Sequence, residues 1–173
     1  MSETIDTIKK RRSIRKYKAE PVAKKDLDAI LSAGTYAPNA MGLQHTRLVA
    51  VTDKKTRDEI SRLNGEVMDS SSDPFYGAPC VIIVFSDQDS PTCIQDGCAV
   101  MTTLVEAACS LGIDSCWIHR AKETFESEAG AKLKKQWGIP ENYVGVGNVI
   151  LGHHDGEYPE PAPRDPARII YVD

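Results

Sequence analysis

Between Gln95 and Leu111 the chain carries Ala99, Val100, Met101, Leu104, Val105, Ala107, Ala108 and Leu111, with almost no polar face. The length and pattern read as a helix, and a helix with little polar surface needs cover on all sides. Either the fold wraps it in a core or a second copy of the chain covers what is left. At 173 residues, with 41% hydrophobic and 27% charged side chains, the chain is large enough to build such a core as one domain. Residues 1–173 are therefore expected as a single domain, with 155–173 as an extended arm.

The other elements follow from periodicity and punctuation. A helix opens the chain, with Ser2 at the N-cap position, Glu3 and Asp6 in its first turns and cations at its far end. After Pro21 a second helix spans about 23–36. "RLVAV" (47–51) reads as a strand, residues 53–67 as an amphipathic helix and "CVIIVF" (80–85) as a buried strand. "DSCWIH" (114–119) reads as a short strand, 123–138 as a helix ended by Gly138 and Pro140, and "VGVGNVILG" (144–152) as a further strand. The tail has prolines at 159, 161, 163 and 166 before a strand-like "RIIYV", which favours an extended course over a surface. Helices interleaved with three or four strands predict an α+β or α/β sandwich.

Several function classes drop out. No run approaches the roughly 18 apolar residues of a membrane span, and no apolar stretch follows the basic one closely enough for a signal peptide. A cytoplasmic protein is expected. Cys80, Cys93, Cys98, Cys109 and Cys116 contain no C-x-x-C pair and read as small core residues in a reducing compartment. "GVGNVILG" lies inside a strand and lacks the third glycine of a dinucleotide fingerprint. His153 and His154 are adjacent, so in an extended segment they point apart, which is poor geometry for a metal.

"KKRRSIRKY" (9–17) places six cations in nine residues of a chain with net charge −4. As a solvated helix end it would gain roughly 0.3–1 kcal/mol from the macrodipole. Arg11, Arg12, Ser13 and Arg15 also suit a phosphate monoester, because guanidinium forks bond its oxygens in pairs and a serine hydroxyl adds a short donor. The acidic balance elsewhere disfavours the remaining reading, a nucleic-acid-binding module.

"RRSIRKY", "YAPNAMGLQ", "SLGIDSCWIHRAKE" and the closing "PRDPARIIYV", taken in order, resemble the FMN-dependent nitroreductase family. The resemblance implies a three-layer α+β sandwich with a mainly antiparallel central sheet. It further implies a homodimer with FMN bound between subunits and a C-terminal arm reaching onto the partner's sheet. Carried over, Arg11, Arg12, Ser13 and Arg15 would grip the ribityl phosphate and the pyrimidine edge. Ala37, Pro38, Asn39, Ala40, Gly42 and Gln44 would lie against the ring from the other subunit. Trp117, Ile118, His119 and Arg120 would bring backbone N–H groups toward flavin N5, and Arg164 would complete the phosphate site. Gly42 stands where asparagine is common and Ala162 where a lysine often joins, which shifts the grip toward the amino-terminal arginines.

The implied activity is hydride transfer from NADH or NADPH, through FMN, to a small oxidised acceptor such as a nitro compound or quinone. A flavoprotein of this fold with another reaction, or a non-catalytic flavin-binding protein, stays open as an alternative.

Overall fold

A computed structural model describes residues 2–172. In chain order the elements are α1 (Glu3–Lys10), α2 (Lys24–Gly34), β1 (Thr46–Val51), α3 (Lys54–Glu66) and β2 (Cys80–Asp87). After them come α4 (Cys93–Ser110), β3 (Asp114–Ile118), α5 (Ala121–Glu126), α6 (Glu128–Gln136) and β4 (Tyr143–Gly152). Single 3-10 turns occur at Ala40–Gly42 and Pro166–Arg168.

The four strands form one antiparallel sheet in the order β1-β2-β4-β3. Side chains along a strand alternate between faces, so β2 feeds two cores at once. Val81, Ile83 and Phe85 join Ile60 and Leu63 of α3, Phe125 of α5 and Leu133 of α6 on one side. Cys80, Ile82 and Val84 join Leu27 and Ile30 of α2 and Val100, Met101, Leu104 and Ala108 of α4 on the other. Helices therefore cover both faces, giving the expected three-layer sandwich. Each fully buried aliphatic side chain contributes roughly 1.5–3 kcal/mol, which explains why β2 reads as a continuous apolar run.

α4 packs closely because small residues let it. A Cβ on Gly97 would lie 2.5 Å from the Val146 side chain. The two glycines of "GVGNV" have packing jobs as well: a Cβ on Gly145 would meet the Ala121 carbonyl at 2.6 Å, and one on Gly147 would meet Met101 at 2.7 Å. The outer face of α4 is less covered. Ile94 is 50% exposed, and Cys98, Ala99 and Ala107 are only partly buried.

One expectation needs correction. The helix expected over 123–138 is two helices, because Ser127 is extended (φ −64°, ψ 155°). Its hydroxyl accepts the Gly130 N–H at 3.1 Å and donates to the Thr124 carbonyl at 2.7 Å, so it ends α5 and caps α6. "RIIYV" forms no strand within its own chain. Ile169, Ile170, Tyr171 and Val172 are 66–93% exposed, and all residues described from 159 onward are exposed. Among the described residues no helix is long and apolar enough to cross a membrane.

Candidate functional site

The edge strand β3 collects two of the sequence motifs. The segment after α1 runs beside it: Ser13 bridges Ser115 in parallel, and the Ile14 N–H donates to the Ser115 carbonyl at 3.0 Å. Further on, Tyr17 bridges His154. Ile14 and Tyr17 are buried, and this anchoring leaves Arg15 exposed. Burial raises the pKa of the Cys116 thiol, while Arg15, Ser13 and Arg11 pull against that shift. The basic segment thus sits over Cys116 without turning it into a thiolate. Burial also drives the Tyr17 hydroxyl far above the usual phenol range, so neither group is prepared as a nucleophile or base.

The four residues of the R-R-S-x-R run have different surroundings. Arg15 makes no hydrogen bond or salt bridge among the described residues. Arg11 lies 3.6 Å from the Glu106 carboxylate on α4. Arg12 folds back, and its Nη1 donates to the carbonyls of Lys9 (2.8 Å), Lys10 (3.0 Å) and Arg11 (2.8 Å), which closes the end of α1. Its Nε is buried with no partner among the described residues, as is the Ser115 hydroxyl. Between α1, β3 and His154 lies a cleft of about 390 Å³ lined by Lys10, Arg11, Arg12, Ser115 and Tyr158 among others.

The strand continues into the second motif. Trp117 is 37% exposed and Ile118 is buried. His119 is exposed and half-buried Arg120 is left-handed (φ 70°, ψ 17°). Three side chains that sequence reasoning missed, Asn64, Thr124 and Asn148, support this turn from below. Their signal was visible: Asn64 interrupts the apolar face of α3 beside Ile60 and Leu63, and Asn148 interrupts the apolar run of β4.

The third motif is elsewhere. In the loop 36–44 the Asn39 carboxamide accepts the Gln44 N–H at 2.9 Å and donates to the Ala37 carbonyl at 3.3 Å. Met41, Gly42 and Gln44 all have positive φ. The Ala40 N–H donates to Asp96, near the start of α4, at 3.2 Å. Arg11, by contrast, meets Glu106, ten residues further along the same helix. At 1.5 Å per residue that is about 15 Å of helix axis. Pro38, Asn39, Ala40, Gly42 and Gln44 are therefore not brought onto Arg11–Arg15 within one chain. Arg164 is likewise apart, exposed on the tail with its Nη1 bonded to the Ala162 carbonyl.

An antiparallel sheet between helical layers, with a basic segment beside its edge strand and a left-handed turn at that strand's end, defines a class on which known proteins can be compared. The sequence profile of the nitroreductase family matches residues 8–153. The NADPH-flavin oxidoreductase of Vibrio harveyi is 28% identical over 98% of this chain and 73% of its own. A nitroreductase with bound FMN from Bacteroides fragilis superposes over 100% of both chains at 29% identity with a TM-score of 0.92. One from Desulfitobacterium hafniense, also with bound FMN, does so over 100% of both at 30% identity and 0.89.

The chain belongs to the nitroreductase family.

Proposed function

We propose that the chain is an FMN-dependent oxidoreductase of the cytoplasm, acting as a homodimer. It takes hydride from NADH or NADPH and passes it to a small oxidised acceptor such as a nitro compound or quinone. When bound, FMN supplies the hydride chemistry, accepting from one substrate and donating to the next in ping-pong order. No protein nucleophile is needed.

The observation that carries this reading is the edge of β3, where the Arg15 guanidinium, unpaired among the described residues, and the turn at exposed His119 and half-buried Arg120 flank one strand. The donor set fits a flavin nucleotide. Arg11, Arg12, Ser13 and Arg15 bring cations to the phosphate and pyrimidine edge, and the unpartnered Arg12 Nε and Ser115 hydroxyl have bonding capacity left. A fixed cation beside a ring that gains negative charge on reduction lowers the cost of that charge. Trp117, Ile118, His119 and Arg120 would bring backbone N–H groups toward the ring's N5.

The separation along α4 supports two subunits. A cleft that uses both the basic segment and Pro38, Asn39, Ala40, Gly42 and Gln44 takes them from different chains, with Arg164 arriving on a tail. The exposed Ile94 on α4, Tyr36 (84%), Met41 (81%) and Leu43 (51%) would be covered in such an assembly.

Purified protein is expected to be yellow and to bleach anaerobically on addition of NADH or NADPH. Colourless protein that FMN cannot restore would overturn the reading. Yellow protein that neither nicotinamide bleaches would reduce it to flavin binding.

A further inference from the structure

The turn that follows β3 is held from behind at three consecutive carbonyls. Asn148 Nδ2 lies 3.4 Å from both the Ile118 and His119 oxygens. Asn64 Nδ2 donates to the His119 carbonyl at 2.9 Å and to the Thr124 hydroxyl at 3.2 Å. That hydroxyl donates in turn to the Arg120 carbonyl at 2.7 Å. Asn64, Thr124 and Asn148 are all 0% exposed. A trans peptide is planar, so each N–H points opposite to the carbonyl that precedes it. Binding the Ile118 and His119 carbonyls inward therefore turns the His119 and Arg120 N–H groups outward. Neither donates to a protein acceptor among the described residues.

Arg120 adds a second hold. It is a non-glycine residue in the left-handed region, which only an outside constraint keeps populated. Its Nε and Nη2 reach the Asn64 Oδ1 at 3.3 and 3.1 Å. One buried carboxamide thus grips the His119 carbonyl with its nitrogen and the Arg120 side chain with its oxygen.

We infer that Asn64 is a positioning residue for the redox chemistry: it fixes the turn at 119–120 so that two backbone N–H donors face the flavin ring. The inference rests on the flavin reading above. Outward N–H groups favour a ring whose nitrogen offers a lone pair, which is the oxidised form. Reduction places a hydrogen on that nitrogen. Loosening the turn should weaken binding of oxidised FMN more than of reduced FMN and so raise the midpoint potential.

The test measures the potential and FMN dissociation constant of the holoprotein. Asn64→Leu removes both grips at similar volume. A tenfold change in the ratio of oxidised to reduced affinity is expected, which for a two-electron couple is about 30 mV upward. Arg120→Ala and Arg120→Gly form a second arm that does not depend on a core substitution. Both lose the same charge, but only glycine adopts the left-handed conformation freely. Arg120→Ala should therefore lie above Arg120→Gly in potential. If Asn64→Leu fails to fold, this pair decides alone.

An unchanged potential in a folded, yellow Asn64→Leu protein would overturn the inference, as would equal potentials for the two Arg120 variants. Wild-type protein that takes up no FMN would instead overturn the flavin reading on which it rests.

Discussion

The carboxylate of Asp96, 5% exposed near the start of α4, accepts the Ala40 N–H with one oxygen and the Thr92 hydroxyl, at 2.9 Å, with the other. This ties the 36–44 loop, in which non-glycine Met41 and Gln44 hold positive φ, to the central helix. A hydrogen bond to a charged group is worth about 1.5–3 kcal/mol. Asp96→Ala should weaken FMN binding about tenfold, read by fluorescence quenching of added FMN. Unchanged affinity would mean that the loop keeps its shape unaided or does not meet the cofactor.

Arg12 and Arg15 should separate stability from binding. Arg15 is exposed and, among the described residues, unpaired by hydrogen bond or ion pair, so Arg15→Ala should leave unfolding within about 0.5 kcal/mol of wild type. Its FMN affinity should still fall roughly tenfold, as expected for a charge-assisted contact. Arg12→Ala removes the Nη1 donor shared by three carbonyls, of which Lys10 keeps only a long bond from the Tyr158 hydroxyl, and should cost about 1 kcal/mol of stability besides. Chemical denaturation of apoprotein beside FMN titration resolves the two. Equal behaviour of the variants would refute the distinction.

Asp73 supplies an acid-sensitive tie. Burial alone would raise its pKa, but the Ser61 hydroxyl, the Arg57 guanidinium and the N–H groups of Gly77 and Phe75 outweigh that and hold it below the usual 3.8. Arg57, 7% exposed, meets it at 2.8 Å and also holds the Ala78 carbonyl at 2.9 Å. A depressed folded-state pKa stabilises above the unfolded value, and the contribution is lost as pH falls through the folded one. Asp73→Asn should cost about 2 kcal/mol near neutral pH. Its deficit against wild type should shrink below about pH 3.8, followed by urea unfolding at several pH values. A deficit that stays constant into acid would exclude the carboxylate as its source.

Deleting residues 158–173 should lower dimer stability and FMN retention together, because the tail's described apolar residues 169–172 find no cover on their own chain. Sedimentation and the flavin-to-protein absorbance ratio measure both. An intact dimer with full flavin would show that the arm does not join the subunits.

Much of this was legible in the chain. Strands β2 and β4 stood out because burial on both faces demands unbroken apolar residues, and α4 because it lacks a polar side. The R-R-S-x-R run stood out by composition, which permits an anion there as well as a solvated helix end. What stayed hidden depends on contacts between distant segments. Ser127 looks like any helix residue until Gly130 is seen pressed on the Thr124 carbonyl, where a Cβ would come within 2.0 Å. Arg12 closes the end of α1 with its Nη1, and no local pattern tells a guanidinium that also caps its own helix from one wholly free for an anion. Asn64 was an odd letter on an apolar face. Its meaning required knowing that α3 passes beneath the end of β3.

The 15 Å of α4 between Asp96 and Glu106 has a genetic consequence in the proposed dimer. Chains broken at Arg15 and chains broken at Asp96 would each be defective alone. Mixed, they would pair so that one cleft inherits both lesions and the other neither. Two inactive alleles would then complement each other, restoring up to one working cleft per heterodimer.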